Sequence, residues 1–237
     1  MLALCWCIGG FVNGIAGFGA ALIAMPIICL SVPLSLAVPS CTIIGVLLCV
    51  QMAWTYRHDI DFDRLKPVYI GTVPGAIAGI TLMKELPASE LKLVMGVFLF
   101  MYACWGFFWE GTQQKVVHKN WGAVAGFFSS AISASVGMGG PPTIVYTSLA
   151  GWSKNAIKAG IASYFIVSGV IIISMQVYAG IQTANTVMLA AVGGFAVLIG
   201  ARGGVVASRR IGGFVYRKML FGLLALMACL ILFNALK

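Results

Sequence analysis

Asn13, Gly17 and Gly19 stand in one apolar run of this chain. Ser133, Ser135, Gly137, Gly139, Gly140 and Thr143 stand in another. Their types and spacing point to a site rather than to a plain helix. The first stretch reads Asn13-Gly14-Ile15-Ala16-Gly17-Phe18-Gly19-Ala20. The second runs from Ser129 to Thr143 through Gly137-Met138-Gly139-Gly140-Pro141-Pro142. Glycine gives up helix propensity and an interior proline removes a backbone hydrogen bond, so each stretch is expected to break a helix. Broken backbone at membrane depth survives only where protein or a water-filled cavity covers it. Proline suits the first turn of a helix, where its missing N–H is not needed. A half-helix is therefore expected to start at Pro141-Pro142 and to reach Tyr146 or beyond. Its unbonded N–H groups and its dipole would attract an anion. Ser129, Ser130, Ser133, Ser135 and Thr143 would add neutral donors. The matching end after Gly19 would have Asn13 as its side-chain donor. Gly139→Leu is expected to abolish the function of this site without preventing insertion.

Other polar residues are weighed against plainer roles. Arg202 is a charge well inside an apolar segment, and an intramembrane cation is by default a functional candidate. Its alternative is a snorkelling side chain, close in sequence to Arg209-Arg210. Lys154 and Lys158 follow the second stretch and read as topology markers, or as an entrance that concentrates anions. Gln51 and Gln176 read as interhelical hydrogen-bonding groups, and Gly75, Gly79, Gly193 and Gly194 as close-packing positions. An embedded enzyme would want paired His, Asp or Glu at depth. The two histidines, His58 and His118, fall in loops, and Glu85, Glu90 and Glu110 sit at segment ends. The seven cysteines lie in apolar runs with no CxxC, which reads as small buried hydrophobes rather than a metal or redox site. Asp59-Ile60-Asp61-Phe62-Asp63 opens like a calcium loop but lacks its glycine and its final glutamate. No cofactor and no metal are expected.

The elements that must hold these residues are membrane helices. Of 237 residues 61% are hydrophobic and 9% charged, against about 25% charged in a soluble domain. The net charge of +9 sits at the ends of apolar segments, which is a positive-inside pattern and not a nucleic-acid footprint. Pro33 opens a second segment ending near Tyr56, and Arg57 to Lys66 is a polar loop. Pro67 opens a third segment ending near Lys84, and the fourth ends near Trp109. A polar linker over 110–120 divides a first repeat, 1–109, from a second, 121–237. Later segments cover roughly Lys154–Tyr178, Thr183–Ala207 and Phe214–Leu236. A shift of 120 residues lays Asn13 on Ser133 and Gly17-Phe18-Gly19 on Gly137-Met138-Gly139. Shifts of 121 and 126 lay Gly79 on Gly200 and Lys92–Gly96 on Lys218–Gly222. Internal repeats of this kind are a transporter feature.

Residues 1–33 and 120–152 are each too long for one span of about 20 residues. If each is a long kinked crossing helix, the chain has eight spans and the basic residues divide nearly evenly. If each is a re-entrant hairpin, six spans remain and the repeats are inverted. Lys84, Lys92 and Lys237 then lie on one side and every other Lys and Arg on the opposite side. The positive-inside rule favours the second topology, with loops 57–66 and 110–120 cytoplasmic. The fold class is thus an all-α polytopic membrane protein of two inverted repeats, each of about four helical segments opening on a broken helix. Outward movement of a monoanion from a cell negative inside gains about 2.3 kcal/mol per 100 mV, so export needs no dedicated protonatable side chain.

At Gly10-Phe11-Val12-Asn13-Gly14-Ile15-Ala16-Gly17-Phe18-Gly19, with Met25-Pro26 behind it, and at Ser133-Ala134-Ser135-Val136-Gly137-Met138-Gly139-Gly140-Pro141-Pro142, the sequence resembles the sulfite exporter TauE/SafE family. Many relatives have a glycine run where this chain has Gly-Ala-Ala after Phe18. The resemblance spans essentially the whole chain. It implies a multi-pass transporter of the inner membrane for sulfite, a sulfonate or a related organosulfur anion, with no enzymatic activity. The partners it implies are a small anion and the lipid bilayer. It fixes neither the individual substrate nor the direction. An anion channel, or a carrier for a carboxylate or other non-sulfur anion, is the alternative.

Overall fold

Proline and glycine placement cuts the apolar sequence into helices. The computed structural model describes residues 1–108, 118–208 and 213–235, and among these there is no strand. The helices are α1 (Leu2–Ala16), α2 (Ala20–Ile28), α3 (Leu34–Thr55), α4 (Phe62–Ile70), α5 (Thr72–Glu85), α6 (Ala88–Phe108), α7 (Asn120–Val136), α8 (Gly140–Leu149), α9 (Lys154–Tyr178), α10 (Ala184–Ser208) and α11 (Gly213–Ala235). Of the expected linker over 110–120, residues 110–117 lie outside the described residues, as do Arg209 and Arg210. Nothing is described of the Lys154, Arg217 and Lys218 side chains.

Among the described residues, five stretches are long and apolar enough to cross a membrane: Leu34–Thr55, Phe62–Glu85, Ala88–Gly106, Asn155–Tyr178 and Ala184–Ala207. The third of the expected segments starts earlier than Pro67. Asp61 Oδ1 accepts from the N–H groups of Asp63 (3.1 Å) and Arg64 (3.2 Å), an N-cap that starts α4 at Phe62. Pro67 therefore lies within a helix, and the polar loop ends at Asp61.

Both broken stretches fold back on themselves. Continued as one straight helix, Ser129 and Thr143 would stand about 21 Å apart at 1.5 Å per residue. Instead Thr143 Oγ1 donates to Ser129 Oγ at 2.7 Å, and Ser129 Oγ donates to the carbonyl of Gly139. α8 thus doubles back along α7. Likewise α2 returns over α1: a Cβ on Gly9 would lie 2.5 Å from the carbonyl oxygen of Ala20 and 3.3 Å from Ala24 Cβ. At 15 residues α1 is about 22 Å long, short of a hydrocarbon core of about 30 Å.

Glycines then decide which helices meet. α1 packs along α10, and α7 packs along α4 and α5. A side chain at Gly10 or Gly14 would run into the carbonyls of Val197 and Ala201, and one at Gly200 or Gly204 into those of Cys7 and Phe11. In the other pair Gly71, Gly75 and Gly79 abut the carbonyls of Ala123, Phe127 and Ala131. Spacing by four puts each set on one helix face, where it lets backbones approach. Gly193 lies against Ile44 and Trp6, and Gly194 against Leu47. α3 packs on α9, and α6 on α11. The main apolar core gathers Trp6, Ile23, Met25, Ile44, Met95, Leu99 and Leu224 from both halves of the chain.

Candidate functional site

The two breaks close in the same way. Gly17 (φ +84°) donates its N–H to the Asn13 carbonyl at 2.6 Å, and Gly137 (φ +77°) donates to the Ser133 carbonyl at 3.0 Å. Each is a left-handed helix end that only glycine takes without strain. Beyond that point they differ. Gly19 is again left-handed at φ +100°, whereas Gly139 has an ordinary φ of −71°. Gly139 has to be glycine for another reason: a Cβ there would run into the carbonyl oxygen of Ser129.

Helix starts leave N–H groups without intrahelical acceptors. In α2 these belong to Gly19, Ala20, Ala21 and Leu22, since the first bond is Ile23 N–H to the Gly19 carbonyl at 3.3 Å. In α8 the prolines at 141 and 142 have no N–H, which leaves Gly139 and Gly140. The richer donor end is thus the one after Gly19, the reverse of what the longer glycine–proline signature suggests.

All six of these residues line one cavity of about 110 Å³ between the breaks. One water needs about 10–15 Å³ on such a scale, so the space suits a small oxyanion or a few waters. Asn13, Gly17, Ser133 and Gly137 line it as well. Its walls come from α3, through Thr42, Gly45, Cys49 and Met52, and from α9, through Ile161, Phe165 and Gly169. The lining is mostly apolar and includes no Asp or Glu. Asn13 Nδ2 donates to the Met52 thioether at 3.2 Å, a weak acceptor that an anion would outcompete. The Ser133 hydroxyl makes no hydrogen bond within the described protein. Thr42 donates to the Val38 carbonyl at 3.0 Å and has no free proton to offer.

Three of the expected site residues are not brought there. Ser135 donates to the Ala131 carbonyl at 2.8 Å, and Thr143 to Ser129. Neither lines the cavity; Thr143, with Ser129, fastens the α7–α8 reversal, while Ser135 bonds back within α7. Arg202 is exposed on α10, away from the cavity, as a snorkelling side chain would be. Ser130 bonds the Tyr164 hydroxyl at 3.0 Å and so ties α7 to α9. Two positions that sequence reasoning passed over or discounted stand at the cavity or beside it. Gly45 lines the cavity, and a Cβ there would meet nothing within 4 Å. Its signal was a lone glycine inside an apolar helix. Lys158, read chiefly as a topology marker, lays its stem across Gly17.

Among the described residues, neither Gln176 nor Gln51 bonds another helix. Gln176 accepts at its side-chain oxygen from Gln182, in the turn after α9, at 2.9 Å, and its buried Nε2 has no partner; Gln182 is the residue that reaches the Pro39 carbonyl of α3, at 3.3 Å. The buried side-chain oxygen of Gln51 has no partner. No group of three or more His, Cys, Asp or Glu among the described residues is placed to hold a metal ion.

One family model, described as Sulfite exporter TauE/SafE, matches residues 2–231. No curated protein matches the chain. No solved structure matches it either.

Proposed function

This chain belongs to the sulfite exporter TauE/SafE family, and from that premise we propose that it carries a small sulfur oxyanion, sulfite or a sulfonate, through the cavity between its two helix breaks. The carrying observation is that both breaks, 120 residues apart, line one space with unbonded N–H groups at each. Each half-helix end brings roughly half a positive charge, and the donors suit oxygens around a central sulfur. Asn13, Gly17, Gly19, Ser133, Gly137, Gly139 and Gly140 form the binding set.

The packing partners support two repeats, 1–109 and 121–237, joined by the linker 110–120. α1 pairs with α10 as α7 pairs with α4 and α5, while α3 meets α9 and α6 meets α11. Exchange of this sort is expected of a two-fold relation between halves. The fold-backs at Gly17–Gly19 and Gly137–Gly139 support re-entrant hairpins over kinked crossing helices, which makes the repeats inverted. The half-helix ends then meet the anion inside the bilayer.

The test is a binding screen of purified protein against sulfite, sulfate, taurine, sulfoacetate and carboxylates, followed by flux in proteoliposomes. Saturable binding and flux of a sulfur oxyanion are expected. Preference for carboxylates removes the substrate class, and unitary conductance in planar bilayers replaces the carrier with a channel.

A further inference from the structure

We infer that Lys158 supplies the cationic group that recognises the anion at the mouth of the cavity, its ammonium passing from Tyr56 to the arriving ligand. This rests on the reading of the cavity as an anion site. Lys158 is half-buried and lies one turn before Ile161 and Ala162, which line the space. Tyr56 lies one turn beyond Met52, which also lines it. Lysine and tyrosine therefore meet across the same end of the cavity, one from α9 and one from the end of α3.

The stem of Lys158 rests on the break itself. A Cβ on Gly17 would lie 2.6 Å from Lys158 Cε, 2.7 Å from Cγ and 2.9 Å from Cδ. Its ammonium donates to the Tyr56 hydroxyl at 3.3 Å and stands 5.3 Å from the centre of that ring. These are neutral partners, and a cation held by a phenol and a π face keeps its full charge for an anion. Of the other cations near this end, Arg64 pairs with Asp61 at 3.1 Å and Lys66 with Asp63 at 2.7 Å, while Arg57 lies over the Trp54 ring and donates to the Trp54 carbonyl at 3.2 Å. Lys158 makes no ion pair among the described residues. An apolar cavity whose donors are neutral lacks a full positive charge, and this ammonium on its flexible four-carbon stem is placed to provide one.

The experiment measures sulfite binding by calorimetry to the wild-type protein and to Lys158→Met and Lys158→Arg. Methionine keeps an apolar stem over Gly17 and removes the charge. Lys158→Met is expected to lose tenfold or more in affinity, and Lys158→Arg to stay within threefold. Wild-type affinity in Lys158→Met, or equal losses in both variants, overturns the proposal while leaving the cavity reading intact. Absence of sulfite binding by the wild type overturns both. Should Lys158→Met fail to fold, acetylation of the wild type followed by mass spectrometry decides instead. Sulfite is expected to slow modification of Lys158 at least threefold, and an unchanged rate overturns the proposal.

Discussion

Ser133 and Gly139 stand six residues apart and would serve the proposed site in different ways. The Ser133 hydroxyl faces the cavity without a partner, so Ser133→Ala removes a donor and leaves the fold alone. A net hydrogen bond is worth about 1 kcal/mol, so sulfite affinity should fall roughly fivefold with an unchanged melting temperature, both readable on purified protein. Gly139 is held by the Ser129 carbonyl, so any side chain there opens the α7–α8 reversal. Gly139→Ala should therefore lower stability by about 1–3 kcal/mol, seen as a reduced melting temperature. The sequence-based expectation for Gly139→Leu, lost transport in an intact protein, changes accordingly: the fold itself is damaged. That Asn13, Gly17, Ser133 and Gly137 line one cavity was legible because breaking residues recur after 120 positions. Ser135 and Thr143 were misread because a small hydroxyl in an apolar helix bonds a nearby backbone or side chain as readily as a ligand. Lys158 was discounted because nothing local announces that α9 lies over Gly17.

Helix pairs formed through glycine carry the architecture at the scale of elements. Gly14 faces Ala201 and Gly204 of α10, and Gly75 faces Phe127 of α7. Gly14→Ala and Gly75→Ala should each destabilise by about 1–3 kcal/mol through overpacking. Gly222→Ala, with nothing within 4 Å of the new methyl, should be neutral or slightly stabilising. Thermal unfolding in detergent separates the three. Helix positions were readable because Pro33, the Gly17 and Gly137 breaks and the polar ends of α9 punctuate the sequence. The start of α4 was not, since the Asp61 cap outweighed the turn signal of Pro67. Nor was the donor asymmetry between α2 and α8: the paired prolines that mark the second break also remove two of its N–H groups.

At the scale of the whole molecule, composition alone fixed the membrane class. The pairing of α1 with α10 and of α7 with α4 and α5 required long-range contacts that no local signal carries. The proposed inverted arrangement makes a prediction about sides. In a background without native cysteines, His58→Cys should react with an impermeant maleimide only after the cells are opened. Ser89→Cys, exposed at the opposite end, should react on intact cells. The reverse pattern removes the positive-inside assignment, and labelling of both positions from one side removes the odd number of crossings between them. The most direct test of the cavity as the anion's path is Gly45→Leu, whose Cβ would meet nothing within 4 Å, whose added bulk would enter the cavity, and which improves helix propensity by roughly 1 kcal/mol. In proteoliposomes this variant is expected to keep its melting temperature and to lose at least about 90% of sulfite flux, more than 1.4 kcal/mol on the rate. Wild-type flux through a folded Gly45→Leu protein would contradict the assignment of this cavity to transport.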